Sequence, residues 1–245
     1  MRPVKKGISP VPGDFKKYED AKAELVTRLG CYCSYCERRI PTLLAIEHIE
    51  PKKGPWGKPA LINRWSNFLL ACTNCNSCKG DKKVSLSGII LPDRDNTFDA
   101  YCYEVDGTIN VNKHLTLQQQ TMARKTLQLT GLDKPIQIYL NSNDEQVALD
   151  RVAQRMDAFG IALEALSLLN ADPNNDILKR SIKQTALSTG FFSIWMKVFE
   201  SILDMKILLI QAFEGTELSG CFDMTSGNVR TPAPNPDGIP SGGKI

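Results

Sequence analysis

The chain has 245 residues, 42% of them apolar, 23% charged and 7% aromatic, with 17 Gly, 14 Pro and 8 Cys. That is globular composition, which excludes a collagenous, disordered or membrane-embedded chain and leaves ample sequence for a core without disulfides. The net charge of +3 is uneven: residues 1–90 hold 16 Lys/Arg against 8 Asp/Glu, and residues 91–245 hold 14 against 19. Either a polyanion-facing part is joined to a protein-facing or structural part, or the charges solvate two faces.

The basic opening, Met1 to Gly7, is followed by no apolar segment of the secretory kind. The longest apolar stretch, Phe191 to Phe213, is interrupted by Lys197, Glu200, Asp204 and Lys206, so no membrane span is expected. A soluble, cytoplasmic protein follows as the expectation, and in a reducing compartment eight cysteines read as metal ligands plus spare thiols.

The spacing predicts a first helix over Asp14 to Leu29, stopped by Gly30. A hairpin is predicted over Asp99 to Val111 around an Asp106-Gly107 turn. Beyond it the texture becomes helical: Thr116 to Thr130, stopped by Gly131, then a long helix opening near Asn143 or Asp144 and ending before Pro173. In that helix Ala148, Val152, Met156, Phe159, Leu163 and Leu166 share one apolar face. Asp176 to Ser188 and Phe191 to Phe213 follow as helices, the latter with Trp195, Phe199, Ile202 and Leu209 on one face. Both stripes read as internal core, with a partner surface as the alternative. Thr225 to Ile245, rich in Gly, Pro and Ser, is expected to be a loosely ordered tail. The fold class is therefore α+β, a small zinc-stabilised module followed by a mainly α-helical region, divided as 1–112, 113–224 and a tail at 225–245.

Six of the eight cysteines fall between 31 and 78. Cys33/Cys36 and Cys72/Cys75 form two CxxC pairs separated by 35 residues. Each pair presents two thiolates from one turn, and together they supply the four soft ligands of a closed, structural tetrahedral zinc site. A redox pair is the minority reading, since no βαβ pattern surrounds them. Cys31 and Cys78 are taken as spare thiols, although ligand exchange with their neighbours stays open at this stage, and Cys102 and Cys221 as buried thiols. Between the pairs lies Glu47-His48-Ile49. A histidine among apolar residues is usually structural. Its surroundings reverse that: an adjacent carboxylate, a cysteine pair on each side, Asn67 ahead of Cys72, and Asn76-Ser77-Cys78-Lys79-Gly80 after the second pair.

This ordered set over residues 33–82 resembles the HNH, or ββα-metal, nuclease motif in its variant with two zinc-binding CxxC pairs. The resemblance implies a metal-dependent endonuclease acting on DNA or RNA. In it His48 is the general base, Asn67 steadies the base and its loop, and Asn76 takes the last position, Asn here rather than His. It also implies that Glu47 and Asn76 hold the catalytic cation. The chemistry agrees. Imidazole suits deprotonation of water near neutral pH, and carboxylate and amide oxygens suit Mg²⁺ or Mn²⁺ where thiolates suit Zn²⁺. Lys52, Lys53 and Lys58 after the base, and Lys79, Lys82 and Lys83 after Asn76, are candidate phosphate contacts or solvated surface. Trp56 and Trp65 stack on bases or, more in keeping with their type, pack. An inserted loop, Gly54 to Pro59, departs from the shortest forms of the motif.

A narrower resemblance covers Met1 to Gly7, Tyr32 to Arg38, Pro92 to Thr97 and Gly220 to Asp223, which look like the PtuB family of HNH subunits from Septu and retron-linked anti-phage systems. It implies an ABC/SMC-like ATPase partner and, in retron versions, a reverse transcriptase with its RNA-DNA product. The acidic helical half would be the docking platform. The competing readings are a stand-alone restriction-type HNH nuclease and a non-catalytic zinc-dependent nucleic-acid-binding module. A mere binder has no reason to keep Glu47, His48, Asn67 and Asn76 in that order.

Overall fold

The computed structural model describes residues 1–136, 139–140, 146–147 and 151–245. The predicted first helix is shorter than its pattern. A 3₁₀ turn at Tyr18–Ala21 leads into α1 (Lys22–Leu29), and the chain before it is bent. Phe15 explains the difference, because its N–H bonds to the Asn63 carbonyl and its ring packs against Trp65 and Phe68, while the Asp14 carboxylate is taken by Arg64. Tertiary packing there outweighs helical propensity. Gly30 ends α1 with φ +72°.

Strands β1 (Ala45–His48) and β2 (Phe68–Ala71) pair antiparallel, with Glu47 opposite Leu69 and His48 opposite Phe68. All four residues of β2 are buried, each large apolar side chain contributing about 1.5–3 kcal/mol. Helix α2 (Thr73–Lys79) follows directly and returns along β1. Two strands and a helix thus form the small unit that the HNH resemblance implies. The predicted hairpin forms as β3 (Tyr101–Tyr103) and β4 (Ile109–Val111), its turn closed by Thr108 bonding to the Asp106 carboxylate and by Gly107 at φ +77°. Helix α3 (Leu117–Thr130) opens with a Thr116/Gln119 capping box and ends on left-handed Gly131, as its caps predict. It packs on α2 and β4. The first hydrophobic core therefore runs through Leu132 and takes in Phe159 and Ile194 from farther along the chain, so residue 112 is no packing boundary.

A short pair, β5 (Tyr139–Leu140) with β6 (Gln146–Val147), precedes α4 (Arg151–Ala171). The predicted opening of that helix at Asn143 or Asp144, and Ala148 of its stripe, lie outside the described residues. Val152 and Phe159 of the stripe are buried, but Met156 and Leu163 are exposed; the buried face runs instead through Arg155, Ala158, Ala162 and Leu169. Helix α5 (Asp176–Thr189), capped by Asn175, matches its prediction. The last predicted helix is two: α6 (Phe192–Val198) and α7 (Leu203–Ala212). The break turns α7 back onto α5 and α6 and buries Met205 and Ile210, which lie off the predicted stripe. These helices enclose a second core around Trp195 and Phe199, whose rings stack 6.1 Å apart.

The Gly/Pro-rich tail is held across the first core rather than loose. Residues 93–97 are all buried. Asp93 takes Lys6 Nζ at 2.8 Å and Arg94 Nε at 3.0 Å, while Asp95 takes the Lys244 N–H and Nζ. The Asn96 side chain donates to the Cys221 carbonyl, and Gly243 donates to that of Arg94. Burial raises the Asp93 carboxyl, but Lys6 and Arg94 outweigh it and hold it below the usual range. Lys6 also donates to the Phe68 carbonyl at 2.8 Å, which ties this polar cluster to β2. Among the described residues no helix is long and apolar enough to cross a membrane.

Candidate active site and zinc centre

Cys33, Cys36, Cys72 and Cys75 converge, with all four sulfurs within 4.8 Å of one another and buried. The Cys36 and Cys72 sulfurs are 3.7 Å apart. A tetrahedral zinc with Zn–S bonds of about 2.3 Å sets its ligands about 3.8 Å from each other, so this spacing is that of a metal tetrahedron, not of a disulfide. The first pair sits in a knuckle closed by Glu37 N–H to the Cys33 carbonyl and Cys33 N–H to that of Arg38. The second pair bridges the end of β2 and the first turn of α2, where the Cys72 sulfur accepts from the Cys75 N–H. Hydrogen bonds from Cys33, Cys36 and Cys75 hold Cys72 far toward the thiolate. Cys31 and Cys78 are not in the quartet.

Arg151, which the sequence does not single out, covers the cluster from α4, with Nη1 3.2 Å from the Cys75 sulfur and 3.0 Å from the Thr130 carbonyl. A guanidinium offsets the excess negative charge that four thiolates leave on a divalent ion. Glu37 anchors the knuckle to the second half of the molecule. Its carboxylate accepts from Ser193 N–H at 2.8 Å and Ser193 Oγ at 2.6 Å, and its carbonyl accepts from Phe191. Gly190 is required beside it: at φ +79°, a Cβ would fall 2.6 Å from the Glu37 carbonyl.

At the opposite end of β1, His48 Nε2 lies 2.9 Å from the Ile62 carbonyl. A carbonyl only accepts, so Nε2 carries the proton and Nδ1 is the basic nitrogen. Tyr18 and Phe68 meet the imidazole edge-on. Burial pulls the His48 pKa down, partly opposed by the Ile62 carbonyl, and so favours the neutral ring. Asn67 clamps the loop that bears this carbonyl. Its Oδ1 accepts from Glu50 N–H at 2.8 Å, and its Nδ2 donates to Glu50 O at 3.0 Å and Leu61 O at 3.3 Å.

Glu47 is buried beside His48, and burial pushes its carboxyl up to about 7 against the opposing pull of Lys79 and Tyr35. Lys79 Nζ forms an ion pair with Glu47 Oε1 at 2.9 Å, and beyond that ion pair neither Oε1 nor the Tyr35 hydroxyl has a hydrogen-bond partner among the described residues. Lys79 is thus buried against a site carboxylate rather than displayed to solvent. Asn76 is half-buried on α2, one turn before Lys79.

The remaining lysines are distributed differently. Lys52 is half-buried with its ammonium 3.9 Å from the Tyr18 ring centre. Lys53, Lys82 and Lys83 are exposed, and Lys58 pairs with Glu50. Trp56 is half-exposed under the Lys83 ammonium, whereas Trp65 is buried and donates to the Gly7 carbonyl. The inserted loop closes on itself through Lys58 N–H to the Pro51 carbonyl at 2.7 Å.

Residues 33–82 match the family model for HNH endonuclease, the same segment that holds the cysteine quartet and His48. A curated relative, the candidate HNH endonuclease of retron Vc95 from Vibrio cholerae serotype O1 biovar El Tor, is 29% identical over 116 residues, covering 45% of this chain. The chain spans 56% of that relative's length. The chain thus carries an HNH-like segment, and the four-cysteine cluster of the structure lies within it.

Proposed function

We propose that the protein is a metal-dependent HNH endonuclease that hydrolyses phosphodiester bonds, with His48 as general base. The observation that carries this reading is the placement of the His48 imidazole, whose Nε2 meets the Ile62 carbonyl on a loop clamped by Asn67. Such a base removes a proton from water at Nδ1 without itself being charged beforehand. Tyr18 and Phe68 keep the ring from turning.

The donor types fit a hard cation. Glu47 offers a buried carboxylate whose Oε1 is paired only with Lys79, and Asn76, on α2, an amide oxygen. These residues would hold Mg²⁺ or Mn²⁺, which when bound stabilises charge on the scissile phosphate and the leaving oxygen. The cysteine quartet fits Zn²⁺, which would pin the Cys33–Cys36 knuckle to the junction of β2 and α2. Lys52, Lys53, Lys58, Lys82 and Lys83 steer and grip the polyanion, while Lys79 acts from inside through Glu47.

The retron-associated relative supports a retron context, and the proposal extends it to a cytoplasmic anti-phage defence complex of the Septu or retron type in which the nuclease acts with an ABC/SMC-like ATPase and, in a retron, with a reverse transcriptase and its RNA-DNA. The test is cleavage of plasmid DNA and total tRNA with Mg²⁺ or Mn²⁺, by wild type and His48→Ala, each with and without the ATPase. His48-dependent cutting that requires the ATPase is the expected result. Cutting without it favours a stand-alone restriction-type nuclease, and nucleic-acid binding with no cutting in any arm favours a binding module and overturns the reading.

A further inference from the structure

Six lysines of the described chain have a carboxylate partner close at hand: Lys6 with Asp93, Lys58 with Glu50, Lys79 with Glu47, Lys179 with Asp204, Lys197 with Glu200 and Lys244 with Asp95. Against that habit, a groove of about 450 Å³ between the segment after α2 and the side of α3 gathers Lys82, Lys83 and Lys125 with Ser85 and Gln128, and no acidic residue lines it. All three lysines are exposed and none forms an ion pair with a described residue. Three like charges facing one concavity repel one another, and an anion lying along the groove relieves that repulsion.

The platform is rigid. Lys125 and Gln128 are three residues apart on α3, hence on one face, and the opposite face is locked by Thr126, whose hydroxyl donates to the Ile90 carbonyl while accepting from its N–H. The groove also adjoins the tip of the loop between β1 and β2. Lys83 Nζ sits 4.6 Å from the Trp56 ring centre, on the loop that leaves His48. Gly54 of the same loop packs so closely on Asp81 that a Cβ would fall 2.3 Å from its carboxylate. Asp81 offsets one charge at this junction; the groove beyond it is purely basic.

We propose, resting on the nuclease reading above, that this groove holds the phosphate backbone of the nucleic-acid strand as it runs away from His48, with Lys125 as a contact on α3 outside the segment that carries the HNH motif. Each lysine takes a phosphate, and Ser85 and Gln128 supply neutral hydrogen bonds to it.

The test is fluorescence anisotropy with fluorescein-labelled single- and double-stranded DNA and RNA, in the His48→Ala background so that the probe survives, over a range of KCl. Lys125→Gln is expected to weaken binding several-fold and to lower the log–log salt slope by about 1, and the triple change Lys82/Lys83/Lys125→Gln to weaken it at least about tenfold with a slope lower by about 2–3. Lys179→Gln on α5 serves as a remote control and changes neither. Circular dichroism and zinc content verify the fold, and the single variant stands if the triple fails to fold. Wild-type affinity and slope in Lys125→Gln and the triple variant overturn the groove, as does the absence of binding to every probe. Loss of the groove effect with intact His48-dependent cutting leaves the nuclease reading standing. Groove-dependent binding without any cutting supports the groove and overturns that reading instead.

Discussion

Replacing Asn67 by Ala removes three hydrogen bonds at once. The buried Glu50 N–H loses its acceptor, and the Glu50 and Leu61 carbonyls each lose a donor. An orphaned buried donor costs about 1–3 kcal/mol and each lost carbonyl bond about 0.5–1 kcal/mol. The expected destabilisation is therefore about 2–5 kcal/mol. Urea unfolding of the zinc-loaded protein measures it. The same loop presents the Ile62 carbonyl to His48, so kcat for cleavage is expected to fall at least about tenfold with a much smaller change in KM. Asn67→Asp keeps the acceptor for Glu50 N–H but sets a carboxylate against two carbonyls, and is expected to be no better than Ala. A loss of stability under about 0.5 kcal/mol with full activity in Asn67→Ala would refute the clamp.

Cys33→Ser or Cys75→Ser is expected to release zinc and unfold the N-terminal module; stoichiometric zinc in both variants, by metal analysis, would show the ligand assignment to be wrong. Lys79→Met leaves the Glu47 carboxylate buried and unpaired, at a cost of about 3–5 kcal/mol in urea unfolding, and adding Glu47→Leu is expected to restore most of it. Near-wild-type stability in Lys79→Met would rule this pair out. For pH, the base works when neutral, above its pKa; with that pKa lowered by burial, the acid limb of kcat at saturating Mn²⁺ should fall below His48's ordinary range of about 6.5. At limiting Mn²⁺ the limb should move up toward about 7, where the Glu47 carboxyl must first lose its proton. A limb that ignores metal concentration would separate Glu47 from metal binding.

The cysteine quartet was legible because the spacing of two CxxC pairs states a ligand set without needing the fold. The hairpin and α3 were legible through local rules, a turn at Asp106-Gly107, a helix start at Thr116 and a left-handed stop at Gly131, whereas the β1–β2–α2 unit was expected only from the HNH resemblance. The misreadings all arise from tertiary packing. No Pro or Gly marks the break between α6 and α7, which exists so that Met205 and Ile210 reach the second core. Arg151 lies 73 residues from Cys78 and meets the cysteines only once α4 docks. Lys79 shares its composition and neighbourhood with Lys82 and Lys83, and nothing local distinguishes a buried ammonium on Glu47 from two solvated ones. The tail's Gly/Pro composition describes its backbone and says nothing of Asp95, which binds it.

Within the loop between β1 and β2, residues 51–58 form a sub-loop whose two ends meet, since Lys58 N–H bonds to the Pro51 carbonyl. Its tip can therefore lengthen, shorten or be exchanged without shifting the pairing of His48 with Phe68 or the four sulfurs at the far end of the strands. The module is a rigid frame with a replaceable mouth. Diversification toward new substrates has a natural graft point between Pro51 and Lys58, where sequence can change at little risk to the frame.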